Sequence, residues 1–132
     1  MKHLIQISKP AIDSKEIDAV VSVLKSGNLS QGPVVKKLEE AFASYCGTRY
    51  AIAGNNGTAA LHTALYALSI AENDEVITSP FTFVATANAI LMQKAKVVFA
   101  DIEEETYNID PAKIANKITG RTKAIMPVDL YG

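Results

Sequence analysis

The chain has 132 residues, 48% apolar and 20% charged, with 13 Lys+Arg against 14 Asp+Glu for a formal net charge of −1. This is an ordinary globular composition with material for a sizeable core, and no stretch concentrates positive charge, so neither a nucleic-acid nor an anionic-membrane partner is expected. The lone Cys46 excludes an internal disulfide, no run of about 18 apolar residues could span a membrane, and Met1 to Gln6 lack the apolar core of a secretory signal, so the cytoplasm is the expected compartment.

Met1 to Ile12 has no periodicity, and Pro10 favours an extended arm. Asp13 and Glu16 form a capping pair at the head of a helix in which Ile17, Val20, Val21 and Leu24 recur at helical spacing, with Gly27 as its stop. Asn28 to Gly32 is a loop. Pro33 suits the first position of a second helix, whose apolar face is Val34, Val35, Leu38, Ala41, Phe42 and Tyr45 and whose end is Gly47. From Arg49 the rhythm becomes strand–helix alternation. Strands are predicted at Tyr50–Ala53, Glu75–Thr78, Val97–Ala100 and Lys123–Val128. Helices are predicted from Thr58 to about Ser69, from Phe81 to about Gln93, and from the Asp110–Pro111 cap through Ile118, the last after an acidic loop, Ile102–Asn108. The strands are short and apolar on both faces, which predicts an α/β fold: a parallel-type sheet with flanking helices. The sequence closes at Asp129-Leu130-Tyr131-Gly132, directly after a strand and without a further crossover helix, so an incomplete domain is expected.

The stretch Gly54-Asn55-Asn56-Gly57-Thr58-Ala59-Ala60-Leu61-His62 joins a strand to a helix through a tight turn. Backbone N–H groups in the first turn of a helix lack partners and sit at the positive end of its dipole, so they can hold an anion. Gly57 has no side chain to block the approach, and Thr58 adds a hydroxyl. A corner with no ligand is the alternative for such a turn by itself. A second stretch, Thr78 to Thr86, sets Phe81 and Phe83 just beyond a strand's carboxyl end, where parallel sheets collect ligands. Either ring could stack on a planar heteroaromatic phosphate held by the Gly57 turn; the alternative is that both are core. No Gly-x-Gly-x-x-Gly follows a strand and no nucleotide P-loop is present. His3, His62 and Cys46 are too scattered for zinc; His62 reads as an exposed or merely packed imidazole and Cys46 as a small buried hydrophobe.

The ordered series Leu24-Lys25-Ser26-Gly27, Gln31-Gly32-Pro33, Asn56 to His62, Asp74 to Thr78, Thr82 to Ile90, Thr106 to Pro111, Arg121 to Ile125, and Val128 with Leu130-Tyr131-Gly132 resembles the N-terminal part of the DegT/DnrJ/EryC1/StrS sugar aminotransferases. The resemblance covers nearly the whole chain. It implies the type I aminotransferase fold, with the N-terminal arm and helices and the first part of the large domain in residues 1–132, and with pyridoxal 5′-phosphate as cofactor. Gly57, Thr58 and Ala59 match the family's phosphate cup, and Phe83 matches the aromatic that stacks on the cofactor ring. Ser26, Gly27, Asn28 and Leu29 match a segment near the nucleotide-sugar pocket of family dimers, and Phe81 is a further pocket candidate. The implied reaction moves an amino group, with glutamate as expected donor, to a keto nucleotide-sugar in a homodimer; a sugar dehydratase on the same fold and a non-catalytic fragment are the alternatives. The family's Schiff-base lysine and its aspartate partner to the pyridine nitrogen would fall beyond residue 132, so residues 1–132 by themselves are expected not to transaminate. Asn73 and Lys94 stand where the family favours glycine, Val97 and Gly120 where it favours proline, and Asp129 where histidine is commoner. Asn73, Lys94 and Gly120 are expected in turns away from the pocket.

Overall fold

A computed structural model describes residues 8–130. Most of the predicted arm, and Tyr131-Gly132 of the family-like C-terminal piece, lie outside them; residues 8–12 have no regular secondary structure. The chain divides into two compact units, one ending at Ala53 and the other starting at Gly54.

The first unit holds α1 (Ser14–Ser26) and α2 (Pro33–Cys46). The predicted capping pair forms: the Asp13 carboxylate accepts from the Lys15 N–H at 2.7 Å, and Glu16 Oε2 accepts from the Asp13 N–H at 2.8 Å. These bonds satisfy donors that the first helical turn leaves open. Gly27 and Gly47 end the helices at φ 74° and 65°, the left-handed geometry that a residue with a Cβ resists. The strand predicted at Tyr50–Ala53 does not form. A strand exists only through a ladder partner, and side chains of this unit have taken its backbone groups instead. Thr48 Oγ1 donates to the Tyr50 carbonyl at 3.0 Å, and Glu39 Oε1 accepts from the Ala53 N–H at 2.9 Å. Cys46, expected to be buried, is exposed at the end of α2.

The second unit contains α3 (Gly57–Ala67), β1 (Glu75–Thr78), α4 (Ala85–Met92), β2 (Lys96–Phe99), α5 (Pro111–Ala115) and β3 (Thr122–Met126). The three strands form a parallel sheet in the order β2-β1-β3, with Ile77 opposite Val98 and Ile125. Central β1 is buried along its whole length. Because side chains alternate across a strand, Val76 and Ile77 serve opposite faces. Val76 joins Leu65, Ile70, Ala89, Ile90 and Ala95 under α3 and α4, while Ile77 joins Ala100 and Ile109, against which Ile114 of α5 packs. The flanking strands depart from expectation: they are apolar but not covered on both sides, with Phe99 and Ile125 nearly half exposed.

Two helices are shorter than their periodicity predicts. The one expected from Phe81 starts at Ala85, because Ser79 Oγ accepts from the Phe81 N–H at 3.0 Å and folds Phe81–Phe83 into a separate turn. Helix α5 stops at Ala115 instead of Ile118. The Asn116 side chain donates to the Ala112 carbonyl at 3.2 Å, and the Lys117 N–H turns in to Ile114 O at 2.8 Å.

At the edge where the strands start, the sheet is tied by one buried acid. The Glu75 carboxylate accepts from Thr119 Oγ1 at 2.6 Å, Arg121 Nη2 at 2.8 Å and Lys96 Nζ at 3.2 Å. The Thr119 hydrogen bond first, then Arg121, lowers its pKa from 4.5 to about 2 against the opposing effect of burial.

Candidate functional site

Helices α3 and α4 share the core cluster around Leu65, Ala89 and Ile90, and the Gln93 side chain donates to the His62 carbonyl at 3.3 Å. Each hands over to a strand at its C-terminus, α3 to β1 and α4 to β2, so each runs toward the edge where strands begin. Their N-termini therefore lie toward the edge where strands finish. Gly57–Ala59 open α3, and the Phe81–Phe83 turn lies between the end of β1 and the start of α4.

At the head of α3 the structure refines the expected cup. Asn56 is the N-cap, and its Oδ1 accepts from the Ala59 N–H at 2.9 Å, while Asn56 O accepts from the Ala60 N–H at 3.1 Å. Ala59 thus has its amide engaged within the chain. The amides of Gly57 and Thr58, at the first two helical positions, have no intrahelical acceptor and remain available to an anion. Asn immediately before a helix is a readable N-cap signal, and this competition for the third amide could have been inferred from it.

Gly57 is the informative residue of the corner. Its φ lies outside the left-handed region, and a Cβ built on it would meet no atom within 4 Å. Neither the backbone nor the chain's own packing requires glycine there. The space that a side chain would fill lies beside two unclaimed amides at the positive end of a helix dipole. Thr58 is half-buried beside it. These residues suit a phosphate.

Phe83 is 77% exposed, so the core alternative does not hold for it. Its ring is left largely uncovered by the described residues. Phe81 is also exposed, at 44%, and its ring lies 5.7 Å from that of Tyr107. The turn carrying both is fixed by Ser79 and by a 2.8 Å hydrogen bond between the Thr82 and Thr86 hydroxyls.

Ser26, Gly27, Asn28 and Leu29 belong to the first unit. Ser26 Oγ donates to the Val23 carbonyl at 2.7 Å and accepts from the Asn28 N–H at 3.2 Å, setting the turn after α1. Ser26, Asn28 and Leu29 line a surface groove with Val23, Pro33 and Val35. Among the described residues no group of three or more His, Cys, Asp or Glu could hold a metal ion, and no helix is long and apolar enough to cross a membrane.

The sequence profile of the DegT/DnrJ/EryC1/StrS aminotransferase family matches residues 10–132. The spore coat polysaccharide biosynthesis protein SpsC of Bacillus subtilis is 49% identical over 130 residues, covering 98% of this chain and 33% of SpsC. The GDP-perosamine synthase of Caulobacter vibrioides is 45% identical over 129 residues, 97% of this chain and 35% of that protein. Among solved structures, Spr1654 of Streptococcus pneumoniae in its PLP form superposes with a TM-score of 0.91 at 36% identity, over 97% of this chain and 33% of that one. The chain spans about a third of the length of the relatives it matches.

Proposed function

Since the chain belongs to the DegT/DnrJ/EryC1/StrS aminotransferase family, we propose that it supplies the phosphate corner and the ring-covering aromatic of a pyridoxal-phosphate-dependent sugar aminotransferase. The whole protein takes an amino group from glutamate and delivers it to the keto group of a nucleotide-linked sugar, acting as a homodimer. When bound, the coenzyme supplies the electron sink for that exchange. This chain's own work is to bind and orient. The Gly57 and Thr58 amides and the Thr58 hydroxyl hold the phosphate, with the dipole of α3 behind them. Phe83 covers one face of the ring and excludes water from it. Ser26 to Leu29 contribute to the sugar-nucleotide pocket.

The observation that carries this reading is Gly57, a glycine at a helix start for which neither backbone angle nor internal packing accounts. Gly57→Ala in the whole protein is expected to leave the melting temperature unchanged or slightly raised. It is also expected to weaken binding of pyridoxamine 5′-phosphate about tenfold, the equivalent of roughly 1.4 kcal/mol. Phe83→Ala is expected to weaken it to a similar degree. Fluorescence titration measures both, and unchanged affinity in the two variants would overturn the assignment.

A further inference from the structure

Tyr107 has φ of +59°, in the left-handed region that glycine and asparagine tolerate and bulky side chains avoid. The loop enforces this. The Tyr107 N–H donates to Glu103 O at 3.0 Å, and the Glu103 N–H donates to Asn108 O at 2.9 Å. Thr106 Oγ1 donates to Glu103 Oε2 at 2.9 Å and accepts from the Asn108 N–H at 3.2 Å, while Ile102 and Ile109 bridge antiparallel at the base. An asparagine is present one position later but is otherwise engaged: Asn108 Oδ1 accepts from the Leu130 N–H at 3.0 Å.

The tyrosine ring does not serve the core, being 48% exposed. It packs against Phe81, with planes inclined at 48° and centroids 5.7 Å apart, within the separation of interacting aromatic pairs. Phe81 sits two residues before Phe83, in the turn that Ser79 and the Thr82–Thr86 pair already constrain. The strained residue thus adds a ring contact to a turn that is otherwise held by hydrogen bonds. Residues held in disfavoured backbone regions gather where a site needs a fixed geometry.

We propose that Tyr107 is a positioning residue: pressed against Phe81, it holds the turn after β1 so that Phe83 meets the coenzyme ring at a set angle. This rests on the coenzyme reading above and names a residue outside its contact shell. The test uses the whole protein in apo form titrated with pyridoxamine 5′-phosphate, comparing Tyr107→Gly, Tyr107→Phe and Phe83→Ala well below their melting transitions. Tyr107→Gly, which relieves the backbone and deletes the ring, is expected to bind about fivefold more weakly and to lose intensity in the circular dichroism band of the bound coenzyme. Tyr107→Phe is expected to match the parent in both. If Phe83→Ala alters affinity and dichroism while Tyr107→Gly alters neither, or if Tyr107→Phe fails as Tyr107→Gly does, the positioning role is wrong. If Phe83→Ala also changes nothing, the coenzyme reading fails with it.

Discussion

Glu75 accepts from four donor atoms on three residues, Lys96, Thr119 and Arg121, which stand 21, 44 and 46 residues away along the chain. Unfolded, its carboxyl titrates near 4.5; folded, near 2. The native state therefore stays ionised where the unfolded chain would take a proton. This contribution is complete above about pH 4.5 and is lost as pH falls from there toward 2. Urea unfolding between about pH 6 and pH 2.5 is expected to show this acid-side loss of stability, and Glu75→Gln should flatten that limb and lower stability at neutral pH. Lys94 is a second residue-scale case. Its φ is +58°, a region that glycine adopts freely, and its N–H closes α4 on Leu91 O at 2.8 Å. Lys94→Gly is expected to stabilise the chain by about 1 kcal/mol, less the extra freedom that glycine gives the unfolded state, as read from the denaturation midpoint. Asn73, at φ 72°, occupies a similar position at little cost, because asparagine tolerates that region.

Four of the five described helices carry a start signal in their own few residues; α4, which begins after Val84 with no side-chain cap, does not. Helix α3 depends on Asn56, whose side chain satisfies the Ala59 N–H. Asn56→Ala is expected to cost about 1 kcal/mol of stability by thermal or chemical unfolding, with Asn56→Ser recovering most of it. The same locality explains what was legible beforehand. The Asp13–Glu16 box, Pro33 at a first turn, Gly27 and Gly47 as stops and the Asp110–Pro111 cap act over four residues or fewer, and the structure has all of them. The strand at Tyr50–Ala53 could not be read that way, because an apolar tetrapeptide becomes a strand only when another segment supplies a ladder. The Glu75 cluster left no trace either, since its partners converge only through β-sheet register. At the candidate site, the Gly57–Thr58 corner and the aromatic turn were legible as types of junction. The diversion of the Ala59 amide to Asn56 and the left-handed Tyr107 against Phe81 emerged only from the fold.

At the scale of the molecule, β1 is enclosed while β2 and β3 each carry an exposed apolar side chain, Phe99 and Ile125, and an outer edge without a ladder partner among the described residues. Unpaired edges template further pairing. A polypeptide of these 132 residues made without any flanking sequence is therefore expected to self-associate in light-scattering chromatography; a sharp monomer peak with cooperative melting would contradict this. In the same preparation, borohydride reduction with pyridoxal phosphate is expected to label no single lysine, and one specifically modified peptide in mass spectrometry would be the contrary result. The Glu75 tie has a last consequence for how such a scaffold can diversify. The side-chain ties at the rim where the strands start outnumber those at the opposite rim, where Thr78 Oγ1 donates to Met126 O at 2.7 Å. Loops beyond Thr78 and Met126 can be lengthened, shortened or exchanged without touching the Glu75 tie, whereas equal surgery at Thr119–Arg121 would cut the knot.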